Sequence, residues 1–328
     1  MGKSDLMKAA YIKQLGGAGA IKFGDLPVPY PHATDVVIQM EASEVNHVDT
    51  FVRSGAFSTA LTFPFIIGRD IVGTIVAVGD AVEQFKVGDR VWANSLGHEG
   101  RQGTFAEYVI APADRVYPLP DGVKPAEAAP VLHAAGTAHI GLVREARLHP
   151  GETIVVGSAS GAVGSAIVEL ASTMGAFVIA GASTDDEEWV AERGANVVLD
   201  KHDNFVERVE KLAPKGIDVW WDPNGGEDFG RVIPLLAPRA RMIVMAGMQA
   251  EPQVPIGQLY TRDASIHGFA ISNASVSDLA QAAVTINYML AMGRLKARIG
   301  ATFRLSEASK AHRAIESGKI HGRILVLP

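Results

Sequence analysis

Apolar positions along the chain fall into short runs whose character changes near residue 124. Before that point, β-rich runs cover residues 35–42, 71–79 and 90–93. Glycines and a proline separate these runs, as is typical of turns and bulges. This part of the chain therefore predicts an irregular, mostly antiparallel β domain.

From about residue 125, strand-like apolar runs alternate with helix-like stretches. Because the runs are almost continuously apolar, we expect parallel strands that are covered on both faces. Strand–helix alternation of this kind predicts right-handed crossovers and a doubly wound sheet. The predicted strands cover residues 153–157, 177–182, 196–200, 218–222, 241–247 and 265–271.

The last part of the chain has two helical patterns, over residues 276–292 and 306–317, and a final strand over residues 323–327. This order predicts that the chain returns to its first domain. We therefore expect a discontinuous domain of residues 1–124 and 267–328, and an inserted dinucleotide-binding domain of residues 125–266.

Composition narrows the functional classes. The 328 residues are enough for two domains, and 36 acidic against 30 basic residues give a net charge of -6, which argues against a nucleic-acid or anionic-membrane surface. The absence of cysteine excludes disulfides, thiol nucleophiles and cysteine-ligated zinc. No apolar run is long enough to span a bilayer, and the first residues lack a signal-peptide pattern, so we expect a cytoplasmic protein.

The glycine-rich segment 153–176 is the most informative part of the sequence. An apolar run is followed by a small-residue loop and then by apolar residues at helical spacing. The dinucleotide fingerprint GxGxxG falls on Ala159, Gly161 and Gly164, so that its first glycine is replaced by alanine. Gly161 would let the backbone approach a pyrophosphate, and Gly164 would allow close packing of helix and strand. A tight packing turn that binds nothing is the alternative.

Cofactor choice depends on the end of the next predicted strand. An NAD site usually has an acidic residue there, whereas this chain has Ala182 and Ser183. Lys201, after the third strand, could reach a 2′-phosphate. The acidic run 185–188 opposes this interpretation, although acids also favour the first turn of a helix. We expect NADPH rather than NADH.

Several stretches together are similar to a known family. They are residues 46–55, 67–91, 103–109, 119–137, 150–175 and 322–326. The chain resembles the zinc-independent medium-chain dehydrogenases/reductases of the quinone oxidoreductase type, which include zeta-crystallin. The resemblance implies an α/β fold in which a Rossmann doubly wound parallel sheet domain is joined to a discontinuous, GroES-like, mostly antiparallel β domain.

The same resemblance implies that no zinc is bound. The ligand positions of related zinc enzymes match Asn46, Arg69 and His133. An arginine in a ligand position would repel Zn²⁺, and neither an asparagine nor a single histidine replaces a thiolate well.

The family's cofactor contacts carry over to matching positions. Thr137 and the turn Ser160, Gly161, Ala162 and Val163 would hold the pyrophosphate side. Ser183 and Lys201 would lie near the 2′-phosphate. The remaining matches are Gly247 beside the cofactor, Phe269, Ala270 and Ile271 at the nicotinamide carboxamide, and Arg323 near the bound cofactor. For Gly247 and Phe269, packing at a strand end is the alternative.

Asn46, Asp49 and Phe51 match the family's NxxDxY signature, and we take them as candidate catalytic residues. Phenylalanine in place of tyrosine removes a hydroxyl that could orient a substrate carbonyl. Asp49 could instead satisfy N–H groups of a turn. His47 has a pKa suited to a proton donor but could equally point away from the site, and solvent could supply the proton.

The expected function is NADPH-dependent reduction of a quinone or enone, with transfer of hydride or electrons from the nicotinamide. One alternative is a 2-enoyl thioester or alkenal reductase, for which the apolar segment 55–65 is equally suited. A second is an NADPH-binding structural or RNA-binding protein with little turnover; the net charge argues against RNA. We also expect a homodimer that pairs through residues 265–271.

Overall fold

The computed structural model describes residues 6–226 and 228–328, and their contacts divide the chain into two compact units. One unit ends at His133 and resumes at Ser275, and the other is Ala134–Ala274. The boundaries expected from the sequence lie after residues 124 and 266. Helix α2, Pro125–Ile140, runs through the first of the observed divisions.

The strands are numbered in chain order. They are β1 (Leu6–Ile12), β2 (Lys22–Pro27), β3 (Asp35–Glu44), β4 (Phe65–Ile66), β5 (Ile71–Val78), β6 (Arg90–Ala93), β7 (Tyr108–Pro112), β8 (Val116–Pro118), β9 (Thr153–Val156), β10 (Phe177–Ala182), β11 (Val197–Asp200), β12 (Ile217–Trp221), β13 (Leu236–Val244), β14 (Ser265–Gly268), β15 (Ile299–Arg304) and β16 (Arg323–Leu327).

The α-helices are numbered in the same way. They are α1 (His47–Ser54), α2 (Pro125–Ile140), α3 (Ala162–Thr173), α4 (Glu187–Glu192), α5 (Phe205–Leu212), α6 (Phe229–Val232), α7 (Ile256–Tyr260), α8 (Val276–Ala291) and α9 (Ala308–Glu316).

The unit Ala134–Ala274 contains a six-stranded sheet in the order β11-β10-β9-β12-β13-β14, and every pair in it is parallel. Counted from β9, this is the order 3-2-1-4-5-6 of the doubly wound dinucleotide-binding fold. The central strand β9 has Ile154, Val155 and Val156 fully buried, as expected for a parallel strand that is paired on both edges and covered on both faces. The predicted Rossmann sheet is confirmed.

Two of its strands differ from the prediction by more than one residue at an end. The strand expected at residues 241–247 runs from Leu236 to Val244, because pairing with β12 continues past a register shift. The strand expected at 265–271 ends at Gly268. Residues 269–271 therefore leave the ladder, although the Phe269 N–H still donates to the carbonyl of Val244 at 3.1 Å.

The other unit contains a seven-stranded sheet and a three-stranded sheet. In the large sheet the order is β15-β16-β3-β5-β6-β8, with β7 also paired to β3. All its pairs are antiparallel except β15 with β16. The small sheet has the order β2-β1-β4. The mostly antiparallel β domain is therefore confirmed.

The last strand of the chain places one candidate residue. β16 pairs with the end of β3, with Leu325 opposite Glu44, and the Val45 N–H donates to the carbonyl of Ile324 at 3.0 Å. This pairing brings Arg323 beside the segment that connects β3 to α1.

Among the residues described, none of the helices combines the length and the hydropathy needed to cross a membrane. The opening residues, on which the expectation of a cytoplasmic protein partly rests, lie in part outside the described residues.

Candidate active site

The glycine-rich turn joins β9 to α3 and leaves no room for a side chain at Gly164. An ideal Cβ there would lie 2.0 Å from the carbonyl oxygen of Ser158. The predicted packing role of Gly164 is thereby confirmed. Gly161, the N-cap of α3, differs: its φ of -69° suits any residue, and the nearest atom to an ideal Cβ is 3.6 Å away. The approach to the N-terminus of α3 is therefore open on that side.

The end of β12 meets this turn. The amide Nδ2 of Asn224 donates to Ser158 Oγ at 3.0 Å. β9 and β12 are the neighbouring strands at which the strand order of the sheet reverses, and this is where ligands bind in open α/β sheets. Asn224 was not among the sequence candidates; its only signal is a turn-like DPNGG segment after an apolar run.

Ala159 replaces the first glycine of the fingerprint without strain. Its side chain is fully buried, and its N–H donates to the carbonyl of Gly181 at 2.9 Å. The position is thus an interior one, at which a methyl group fits.

The two residues expected at the 2′-phosphate lie at adjacent strand ends. Ala182 is paired with Asp200, which places Ser183 and Lys201 side by side, and the Lys201 N–H donates to the carbonyl of Ala182 at 2.9 Å. Lys201 is exposed. Ser183 Oγ donates to Asp186 Oδ2 at 3.0 Å, so a carboxylate is close to the same position.

The remaining cofactor candidates of this unit are placed along the sheet and α2. The Phe269 ring packs edge-on against Trp221, with 5.9 Å between the ring centroids, as strand-end packing would require. The positive φ of 79° at Gly247 allows a close approach to the Gly225 carbonyl. The others are Thr137, which is buried on α2; Ser160, Ala162 and Val163, which are half-buried around Gly161; and Ala270 and Ile271, which follow β14. Their contact with a cofactor stays a prediction.

In the other unit, Asn46 and Asp49 are joined at the start of α1. Asp49 Oδ2 accepts the backbone N–H of Asn46 at 2.7 Å, and the two residues form a capping box. Each is only 3% exposed. Asp49 therefore fixes the entry of the chain into α1, as its turn-capping alternative predicts.

Asn46 connects two charged groups. Its Nδ2 donates to Asp70 Oδ2 at 2.6 Å, and its Oδ1 accepts from Arg323 Nη2 at 3.0 Å. Arg323 in turn forms an ion pair with Glu44, and His133 Nδ1 lies 3.7 Å from Asp70 Oδ2. We call this series of neighbouring side chains the buried polar chain; in order of contact its members are Glu44, Arg323, Asn46, Asp70 and His133. Glu44 and Asp70, which the sequence analysis did not single out, are fully buried members of it.

Arg69 lies beside the polar chain, in the position where the related zinc enzymes have a ligand. It is 1% exposed, and its Nε donates to the carbonyl of Leu96 at 3.4 Å. Burial lowers the pKa of Arg69, and the charges of Asp49 and Asp70 oppose that effect. Within the described residues, no three His, Asp or Glu side chains are grouped as metal ligands.

Burial shifts the protonation of the carboxylates in this region. It raises the pKa of Glu44 to about 8 even though Arg323 opposes the shift, and Asp70 and Asp49 add to it. It raises the pKa of Asp49 to about 7, against the charge of Arg69 and the N–H of Asn46. Both groups therefore titrate near neutral pH, where a group that holds or releases a proton is useful.

Phe51, the third member of the signature, is not brought to these groups. It lies two residues beyond Asp49 on α1 and is 38% exposed, whereas Asp49 is buried. His47 is also exposed. Loss of hydration and then the charge of Arg323 lower the pKa of His47, so it is neutral at neutral pH and a poor acid.

The raised pKa of Glu44 gives a test by pH. The folded protein keeps this proton up to about pH 8, whereas an unfolded glutamate loses it near pH 4.5. The wild-type protein should therefore lose stability as pH rises from 5 to 8. Glu44→Gln mimics the protonated form, so its Tm relative to wild type should rise across that window in thermal unfolding. A relative Tm that stays constant from pH 5 to pH 8 would mean that Glu44 is ionised throughout.

Comparisons with known proteins agree with this architecture. The protein-family model described as "Alcohol dehydrogenase GroES-like domain" matches residues 32–121, and the family model described as "Zinc-binding dehydrogenase" matches residues 162–286. The mouse quinone oxidoreductase is 31% identical over 330 residues, which cover 98% of this chain and 98% of the mouse protein.

Solved structures are similar over the same length. A mycobacterial protein solved in complex with NADPH is 27% identical, with a TM-score of 0.83 and coverage of 98% of this chain and all of the other. A solved NAD-dependent alcohol dehydrogenase is 30% identical, with a TM-score of 0.87 and the same coverage of both chains.

Proposed function

Because the chain belongs to the quinone oxidoreductase family of medium-chain dehydrogenases/reductases, we propose that this oxidoreductase uses NADPH to reduce quinones and does so without zinc. The proposal rests on the residues at the three positions that match zinc ligands in the related enzymes. Asn46 and His133 flank Asp70, and the guanidinium of Arg69 supplies a buried positive charge where the related enzymes have a metal ligand. This donor set does not suit Zn²⁺.

The dinucleotide turn fits NADPH. The open side of Gly161 admits a pyrophosphate to the N–H groups at the start of α3, and Gly164 keeps that helix close to the sheet. Ser183 and Lys201 lie together at the strand ends where a 2′-phosphate would be recognised, and Lys201 is exposed. When bound, the nicotinamide supplies the hydride.

The residues of the buried polar chain fix the orientation of the Asn46 amide and place charged groups around it. Arg323 and Asp70 hold both ends of the Asn46 amide, which leaves one of its two N–H groups to donate to a substrate oxygen. His133 is less buried than Asp70, with 12% of its side chain exposed, so the polar chain comes closest to solvent at His133. A conjugated acceptor needs less polarisation than a simple ketone, because the incoming charge spreads to a distant oxygen.

The experiment that tests this function is the initial rate of NADPH oxidation with 1,4-benzoquinone, 9,10-phenanthrenequinone, 2-hexenal, crotonyl-CoA and butanal. We expect the two quinones to be the best acceptors. A preference for hexenal or crotonyl-CoA would move the function to C=C reduction. Turnover of butanal alone would contradict the proposal, and binding of NADPH without turnover would favour a non-catalytic role.

Lys201 gives a test of cofactor choice. Lys201→Ala should raise the KM for NADPH about tenfold, because one charged contact to a phosphate is worth about 1.5 kcal/mol, and should leave the KM for NADH unchanged. Lys215→Ala, which removes an exposed lysine just before β12, is the matched control. An equal change for both cofactors would show that Lys201 does not contact the 2′-phosphate.

We also propose that the protein is a homodimer. β14 is the last strand of the six-stranded sheet, so its outer edge is available for pairing with a second copy. Light scattering should give twice the chain mass of 34.7 kDa, and a monomeric mass would refute the proposal.

A further inference from the structure

The loop of residues 94–102, which follows β6, has an unusual backbone. Ser95 and Glu99 have positive φ values of 57° and 51°, which lie in the left-handed backbone region that residues other than glycine rarely occupy. Contacts with the segment 59–60 hold it: the Gly100 N–H donates to the carbonyl of Ala60 at 2.9 Å, and the Glu99 N–H donates to Thr59 Oγ1 at 2.9 Å. Such conformations persist where the surroundings enforce them and are common in ligand-binding loops.

Arg101, in this loop, presents an unused hydrogen-bonding edge. Its Nη1 is 3.3 Å from Glu99 Oε2. Only 20% of the side chain is exposed. Its Nε and Nη2 are buried and have no hydrogen-bond partner among the described residues. These two nitrogens form the side of the guanidinium that binds a carboxylate or a phosphate through two parallel hydrogen bonds. Buried donors without partners are rare and call for an explanation, such as a missing ligand.

The charges around Arg101 favour an anion. Burial and then the charge of Arg115 lower the pKa of Arg101, and Glu99 and Asp114 only partly oppose them. Arg115 is half-buried and makes no ion pair within 4 Å in the described part of the chain. Glu99, the acid that contacts Arg101, has 62% of its side chain in solvent, where water screens its charge.

His98 completes the site. It is 5% exposed, and its Nδ1 is buried without a hydrogen-bond partner among the described residues. Burial and then the charge of Arg69 lower the pKa of His98; the charges of Arg101 and Arg115 act in the same direction, and the charge of Glu99 opposes them. The Phe57 ring lies 5.6 Å from the His98 ring and provides an apolar wall.

We propose that Arg101 and Arg115, with His98, form a binding site for a small molecule that carries a carboxylate or phosphate group. Arg101 would bind the anion through hydrogen bonds from Nε and Nη2, and Arg115 would add a second positive charge. Phe57 would pack against an apolar part of the molecule. The residues belong to the unit that ends at His133, whereas the glycine-rich turn belongs to the other unit. The proposal therefore does not depend on NADPH binding.

The test is the binding of inorganic phosphate and of succinate to the full chain, by calorimetry and by the shift in Tm, against NaCl at equal ionic strength. The measurement is made with saturating NADPH, so that the anions cannot bind at the phosphate positions of the cofactor. It is repeated without NADPH on the Lys201→Ala variant, which covers the case in which NADPH does not bind. We expect at least one anion to stabilise the protein more than NaCl. Arg101→Gln should weaken that binding at least tenfold, and Arg101→Lys, which keeps the charge but loses the two-pronged edge, should weaken it less.

Arg313→Gln is the control, because Arg313 is an exposed arginine on α9. Arg115→Gln serves as a second variant if Arg101→Gln does not fold. Stabilisation by phosphate alone would assign a phosphate-bearing ligand, and stabilisation by succinate alone a carboxylate-bearing one. The proposal is overturned if neither anion exceeds NaCl, or if the Arg101 and Arg115 variants bind as the wild type does.

Discussion

Replacing Gly164 with alanine should lower the stability of the unit Ala134–Ala274 by about 3 kcal/mol and abolish measurable NADPH binding. The added methyl would stand 2.0 Å from the Ser158 carbonyl oxygen, and that oxygen belongs to the backbone and cannot rotate away. Overpacking of this kind usually costs about 1–3 kcal/mol, and a backbone obstacle puts it at the upper end. Helix α3 must shift away from β9, which also moves the N–H groups that would face the pyrophosphate. Thermal unfolding and NADPH fluorescence titration measure the two effects.

Gly161→Ala is the matched control, because the two glycines are three residues apart in one turn. At Gly161 the backbone is extended and nothing lies closer than 3.6 Å to the new Cβ. Its Tm should stay the same or rise slightly, since alanine reduces the entropy of the unfolded chain. NADPH affinity should nevertheless fall at least tenfold, because the methyl stands in the open approach to α3. Unchanged affinity in Gly161→Ala would mean that the pyrophosphate does not approach there.

The fold could be predicted from the sequence where local signals agree with the sheet. The strands at residues 90–93, 177–182 and 323–327 have the predicted bounds, because each is an apolar run that ends at turn residues or at the end of the chain. Gly164 was predicted for its packing role since the fingerprint spacing defines the geometry of the turn. The bounds of β13 were predicted wrongly at both ends. Pro238 and Arg239 lie in the register shift between its two pairings with β12, and the strand nevertheless extends back to Leu236, which pairs with Ile217.

The candidate site was predicted only in part. Asn46 and Asp49 are three residues apart, so a local motif could join them. The contact between Asn46 and Arg323 spans 277 positions, and only the pairing of β16 with β3 creates it. Glu44 ends a strand and Arg101 lies in a polar loop, and in a sequence both resemble solvated surface residues. Their burial is a property of the tertiary structure, and no local pattern reports it.

Arg323→Gln should be the most disruptive change in the polar chain, with a loss of about 3 kcal/mol at pH 8 and a fall in kcat with quinones. Arg323 pairs with the fully buried Glu44 and donates to Asn46 Oδ1. Removal of one partner of a buried ion pair typically costs about 3–5 kcal/mol, because the other charge stays desolvated. Glu44 can limit this cost by keeping its proton, which is why we expect the lower end of the range. Urea unfolding and initial rates measure both effects.

A double-mutant cycle separates the ion pair from other roles of Arg323. With Glu44→Gln in the background, the carboxylate that pairs with Arg323 is gone, so Arg323→Gln should cost at least about 1 kcal/mol less than it does alone. The coupling should also grow from pH 6 to pH 9, because Glu44, with a pKa of about 8, is increasingly ionised over that range and needs Arg323 more. The loss of kcat should persist in the double variant, since the Asn46 amide still lacks the donor that orients it. If the two substitutions are additive at every pH, Arg323 acts on Asn46 alone and Glu44 is a neutral bystander.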